Sequence, residues 1–195
     1  MRQRCRSRAL AALMLSMMAA TALATQPGST PWTKIPSITV IAADGDARIA
    51  AVREAVTFWN RTFADLGTPF RLGAITQVAA AVPDDDIKAL GDEVLNEVMH
   101  DDSRRGNRVI IGIKNGSKPP LSMPNVLRNV ITHEIGHALG LQHNADPALL
   151  MCGRPSACRP DAFMSVSPRM FPLADEERKR LLTLYPKSWA ERFGN

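Results

Sequence analysis

The residues best equipped for chemistry lie in 133–143, HEIGHALGLQH. His133 and His137 stand four apart, so on a helix they leave the same face one turn apart, where two imidazoles can grip one metal ion. Glu134, beside His133, can reach a water on that ion without being a ligand. Gly140 lets the chain leave the helix in a left-handed conformation. The resulting turn brings His143 back as a third nitrogen donor, and three protein ligands with an open fourth position suit a catalytic zinc site. Three of the chain's four histidines fall in these eleven residues, which core packing alone does not explain.

A helix must hold these side chains. Leu127, Ile131, Ile135 and Leu139 recur every four residues, while Asn129, His133 and His137 form a second stripe roughly 200° away at about 100° per residue. The first stripe is expected to pack into a core, and the second to face a cleft. Ser122 or Met123 is the expected cap, with Pro124 tolerated in the first turn.

Upstream, residues 37–43 (SITVIAA) are β-branched and apolar, as in a first strand. Asp44, Gly45 and Asp46 supply turn chemistry, and Asp46 can cap a helix that starts after it. Ile49, Val52, Val56, Trp59 and Phe63 then predict an amphipathic helix of about twenty residues, closed by Gly67 and Pro69. Its aromatics read as core packing rather than a ligand platform. Residues 70–75 read as a second strand and 78–82 as a candidate third. The acidic run Asp84, Asp85 and Asp86 can bind calcium, but nothing else supports a calcium site, and a helix start is the simpler reading. Ile87, Leu90, Val94, Leu95 and Val98 keep helical spacing past the interruption of Gly91. Residues 108–114 (RVIIGIK) are the clearest strand, followed by an Asn115-Gly116 turn and a Pro119-Pro120 loop.

The chain's 195 residues accommodate one domain plus a processed end. Its 45% hydrophobic and 22% charged residues exclude a disordered chain. Residues 1–24 resemble a secretory signal: Arg2, Arg4, Arg6 and Arg8, then an Ala/Leu/Met-rich run, then a small-x-small site at Ala22-Leu23-Ala24. An uncleaved N-terminal anchor is the alternative, although the run is short for a span. Residues 25–36 would form a short mature terminus, and residues 37–195 a single catalytic domain. The net charge is +5, but removing residues 1–24 takes away four arginines and no acid, leaving 20 basic against 19 acidic residues. A nucleic-acid partner therefore has little support. Export also leaves two cysteines, Cys152 and Cys158, which an oxidising compartment favours as a disulfide over free thiols. Metal binding is compatible with their spacing too, but His100 is the only further histidine, too few for a four-ligand structural zinc.

HExxHxxGxxH followed by a methionine resembles the metzincin metallopeptidases, and most closely the matrixin (matrix-metalloprotease-like) branch. Met151, eight positions after His143, matches the Met-turn residue that forms a hydrophobic base beneath the zinc in that family. Residues 175–186 (DEERKRLLTLYP) resemble the matrixin C-terminal helix. The resemblance covers residues 122–186 and implies an α+β, zincin-like catalytic domain. That domain would have a twisted mixed β-sheet, an N-terminal helix, a zinc-binding active-site helix and a C-terminal helix. Departures are plain as well. The tyrosine that follows the Met-turn in astacins and serralysins is absent, Tyr185 being the only tyrosine. There is no cysteine-switch sequence, the histidines of the matrixin structural zinc site are missing, and a cysteine-flanked loop stands where the specificity-pocket wall would be.

The implied chemistry is peptide hydrolysis by an exported, periplasmic or secreted zinc endopeptidase acting on a protein or peptide substrate. There would be one catalytic zinc, and no stable membrane insertion once the signal is removed. Zinc on three imidazoles lowers the pKa of its water toward about 7 and polarises the scissile carbonyl. Glu134 serves as general base and then as general acid. An edge strand from residues 108–114, or the segment 115–121, would pair with the substrate. Residues 163–170 either line the pocket or pack in the core. The competing reading is a non-catalytic zinc-containing binding protein with a peptidase-like fold, against which the retained Glu134 argues. The oligomeric state stays open.

Overall fold

The computed structural model describes residues 31–79, 108–112, 123–153 and 169–193. Strand β1 (Ser37–Ala42) is followed by helix α1 (Ile49–Asp65), β2 (Ile75–Ala79) and β3 (Arg108–Gly112). Helices α2 (Pro124–Ala138), α3 (Asp175–Leu184) and the short α4 (Trp189–Phe193) complete the described elements. The expected helix over residues 87–98, the Asp84–Asp86 run and the 115–120 loops lie outside the described residues.

The sheet has the order β2-β1-β3, and both pairings are parallel. The domain is thus mixed α/β, and every described strand pair is parallel where a mixed sheet was expected. The physical reason lies in the connections. A parallel neighbour needs a crossover, and α1 is long enough to carry the chain from β1 back to the start of β2.

The second strand starts later than the sequence suggests. Residues 70–74 are not strand, because Leu72 is held by a helix side chain instead of a ladder. Asn60 of α1 accepts from the Leu72 N–H (2.7 Å) and donates to the Leu72 carbonyl (3.1 Å). The two segments meet where Gly73 donates to Pro36 and Ile38 donates to Ala74, and Ile75 to Ala79 then form a single strand.

Alternation in β1 buries Ile38, Val40 and Ala42 on one face. On α1 the expected stripe of Ile49, Val52, Val56, Trp59 and Phe63 is buried, and the helix packs on α2. Asp46 caps the turn that leads into α1, its carboxylate accepting from the Arg48 backbone N–H at 2.9 Å, while Arg48 at the helix boundary makes no side-chain cap bond itself. The same carboxylate binds the Arg48 guanidinium at 2.6 Å, and that hydrogen bond holds it below the usual range. Phe63, Phe70, Tyr185 and Trp189 form an aromatic cluster that fixes the chain after α3 against α1. Among the described residues no helix is long and apolar enough to cross a membrane.

Candidate metal centre

Helix α2 starts and stops as its sequence directs. Met123 is the extended cap residue and Pro124 the first helical one, where a missing N–H costs nothing. Leu127, Ile131, Ile135 and Leu139 are all buried in the core. At the other end Gly140 has φ +95°, the left-handed conformation expected of it. Gly140 donates to His137 (2.8 Å) and Leu141 to Gly136 (3.0 Å), the double bond pattern of a Schellman turn.

The carbonyl of the C-cap Leu139 and the three before it all have partners, which a buried helix end requires. Two are taken by the Schellman turn itself. The Trp32 indole N–H donates to the Ala138 carbonyl at 2.9 Å, and the Tyr185 hydroxyl to the Leu139 carbonyl at 3.2 Å. Burial pushes the Tyr185 hydroxyl far above its ordinary pKa, so it stays a proton donor. The chain's one tyrosine thus secures the end of the metal helix and does not face a metal.

The same turn returns His143 to its partners. The three Nε2 atoms lie 3.0 Å (His133 to His137), 2.9 Å (His137 to His143) and 3.2 Å (His133 to His143) apart. Nitrogens bound tetrahedrally at about 2.0–2.1 Å to one zinc would be roughly 3.3–3.4 Å apart, so the triangle fits to within a few tenths of an ångström. Among the described residues these three form the group of metal-binding side chains.

Tautomers strengthen the fit. His133 Nδ1 lies 2.8 Å from the Leu150 carbonyl, and His137 Nδ1 lies 2.9 Å from the Leu141 carbonyl. A carbonyl only accepts, so both Nδ1 atoms carry a proton, and in the neutral rings a metal needs both Nε2 atoms present bare lone pairs. In that neutral state the two Nε2 lone pairs, 3.0 Å apart, are positioned to share one cation. The set is compatible with one zinc ion.

The loop after His143 folds under this triangle. Asn144 donates to the Met151 carbonyl and accepts from Gly153, giving a bridge between Asn144 and Cys152. Met151 is fully buried, with its thioether against Gly136 between the two helical histidines. A Cβ on Gly136 would stand 2.5 Å from Met151 Sδ, so glycine is what lets the methionine approach. Gly153 does the same for His143, whose ring a Cβ at 153 would overlap. Glu134 is half-buried on α2, next to His133.

Other expected site residues fall differently. Asn129 shares the ligand stripe but is buried one turn before His133. Its amide donates to the Asn125 and Arg169 carbonyls and accepts from Phe171, pinning the segment that leads into α3. Cys152 is disulfide-bonded, while Cys158 lies outside the described residues. Of residues 163–170, only Arg169 and Met170 are described. Two contributors escaped the sequence reading. Trp32 carried no motif, and Glu177 stood only as part of the segment 175–186 that resembles a C-terminal helix. The only local hint for Glu177 was its place three residues after Ala174, the position of a capping-box glutamate.

Residues 115–147 match the sequence model of a family described as Met-zincin. That stretch contains α2, its exit turn and all three histidines, so the metal-site segment is metzincin-like. No curated protein matches the chain. Among solved structures, the crystal structure of archaemetzincin from Methanopyrus kandleri is similar at 14% identity and a TM-score of 0.46. The match covers 77% of this chain and 95% of that one.

Proposed function

We propose that the protein is an exported zinc endopeptidase, matrixin-like in the spacing of its Met-turn. The observation that carries this reading is the convergence of three Nε2 atoms within 3.2 Å, with two of their tautomers set by backbone carbonyls. The Met-zincin match over the same segment supports it. The eight-residue step from His143 to Met151 and the Leu184-Tyr185 end of α3 support the matrixin likeness. Export rests on the basic and apolar pattern of residues 1–24.

His133, His137 and His143 would hold the ion. When bound, zinc supplies a Lewis acid that makes water a nucleophile near neutral pH and polarises a carbonyl. The rest belongs to the chain. Glu134 is the carboxylate nearest the triangle in sequence and takes no place among the three donors. As general base it accepts the water proton, and as general acid it returns that proton to the departing amine nitrogen. The Leu150 and Leu141 carbonyls keep the ligand rings in one orientation, so no reorganisation is needed at the moment of attack. Strand β3 is an edge of the described sheet and offers backbone groups to an extended substrate.

Glu134→Ala separates metal binding from turnover. The variant is expected to keep about one zinc per chain while hydrolysis of a mixed peptide library falls by roughly 10²–10⁴. A wild type that binds zinc and cleaves nothing in a broad library favours the binding-protein reading. Equal cleavage by wild type and Glu134→Ala removes the proposed base.

A further inference from the structure

We infer that Glu177 of α3 is a positioning residue for the third metal ligand, holding His143 in place through the side chain of Asn144. The inference rests on the zinc-site reading and not on peptidase activity.

His143 differs from the other two histidines in what supports it. His133 and His137 stand on a helix and are half-buried, while His143 is exposed and sits on irregular chain. An exposed ring on a loop samples several rotamers unless its backbone is fixed. The residue that fixes it is its neighbour. Asn144 uses all four of its hydrogen-bonding groups. Its N–H donates to Met151 (2.8 Å), its carbonyl accepts from Gly153 (3.1 Å) and its Oδ1 accepts from Asp146 (2.9 Å). The remaining group, Nδ2, donates to Glu177 Oε1 on α3, 33 residues further along the chain.

Glu177 is suited to that task because it cannot wander. It is 8% exposed, and its other oxygen accepts from the Ala174 N–H at 2.7 Å, the backbone cap of α3. One carboxylate therefore joins the start of the C-terminal helix to the loop carrying His143 and the Met-turn. Its two oxygens meet two N–H donors. An amide in its place has only one acceptor, so glutamine must give up one of the two bonds.

The same donors could serve α3 alone, so zinc affinity has to be read apart from stability. Zinc dissociation constants would be measured by competition with a chromogenic chelator, well below each variant's melting temperature, with apo melting followed by circular dichroism. Glu177→Ala is expected to weaken zinc binding by about 10–100-fold, with Glu177→Gln intermediate. Asn60→Ala breaks the α1–Leu72 bonds, which involve no residue of the loop. It should lower the melting temperature and leave zinc affinity within about twofold, as a purely structural loss does. Asn144→Ala leaves the α3 cap intact and carries the test should Glu177→Ala not fold. It should match the Glu177→Ala loss, with the double variant no worse than either. Folded Glu177 and Asn144 variants that bind zinc like wild type overturn the inference and leave the zinc site standing. A wild type that binds no zinc overturns the zinc site itself.

Discussion

Replacing Gly153 with alanine should displace His143 without unfolding the protein. A Cβ there would stand 2.1 Å from His143 Cγ, 2.2 Å from Cδ2 and 2.4 Å from Nδ1. Ordinary contact needs about 3.4 Å or more, so something must move by roughly 1.3 Å. The backbone at 153 is poorly placed to move, because its N–H is bonded to Asn144 and the preceding Cys152 is disulfide-bonded. The exposed ring is the softer partner. Gly153 is not among the positive-φ glycines 45, 67 and 140, so alanine brings no backbone strain of its own. A metal ligand must keep its distance to within about 0.2 Å, and the required shift is several times that. Zinc affinity should fall by at least the 10–100-fold expected from disturbing a ligand's support. Turnover should fall by about 10², the usual effect of a 1 Å misplacement. Chelator competition, apo melting and peptide hydrolysis on the same preparations give the three numbers. A His143→Ala background supplies the control, since Gly153→Ala should add nothing once the ring is gone. Wild-type zinc affinity in Gly153→Ala would refute the contact, and a further loss in the His143→Ala background would show that the clash lies elsewhere.

Gly136→Ala tests the floor of the site. Alanine ordinarily gains up to about 1 kcal/mol over glycine inside a helix. Here its Cβ meets Met151 Sδ at 2.5 Å and Trp59 Cζ2 at 3.1 Å, so overpacking of about 1–3 kcal/mol should win and denaturant unfolding should show a net loss. Trp32→Phe removes the donor to the Ala138 carbonyl, and a buried orphan carbonyl costs about 1–3 kcal/mol. At about 2–4 °C per kcal/mol the melting temperature should drop by several degrees, and an unchanged value would mean that water replaces the indole. Glu177 gives a pH signature. Burial raises its carboxyl above the ordinary 4.5, against the opposing hydrogen bonds from Ala174 and Asn144. The folded state therefore holds this proton more tightly than the unfolded chain. The stability so gained is complete below the unfolded value and is lost as pH rises through the raised one, so wild type should lose ground to Glu177→Gln over that window in paired urea titrations.

What could be read from the sequence is what local periodicity and backbone preference decide. The four-residue step of the histidines, the apolar stripe behind them and the left-handed glycine that ends α2 are properties of ten to fifteen neighbouring residues, and the structure keeps all three. Where the reading slipped, a distant side chain outbid the local pattern. Residues 70–74 have strand composition, yet Asn60 on α1 occupies both backbone groups of Leu72. Asn129 has the ligands' phase on the helix, yet the segment at 169–171 covers it.

The same limit acts inside the site. Two ligands need only a helix, and a helix is written locally. The third needs a return loop of fixed shape, and loops have no periodicity to read. Its shape is set by partners that sequence spacing hides, Glu177 at 33 residues from Asn144 and Trp32 at 106 from Ala138. The histidine motif thus specifies which atoms can meet, while residues outside it decide how firmly they are held. Substitutions at Gly153, Glu177 and Trp32 should therefore grade metal affinity and stability without touching a ligand, in proportion to how directly each one fixes the loop or the end of α2.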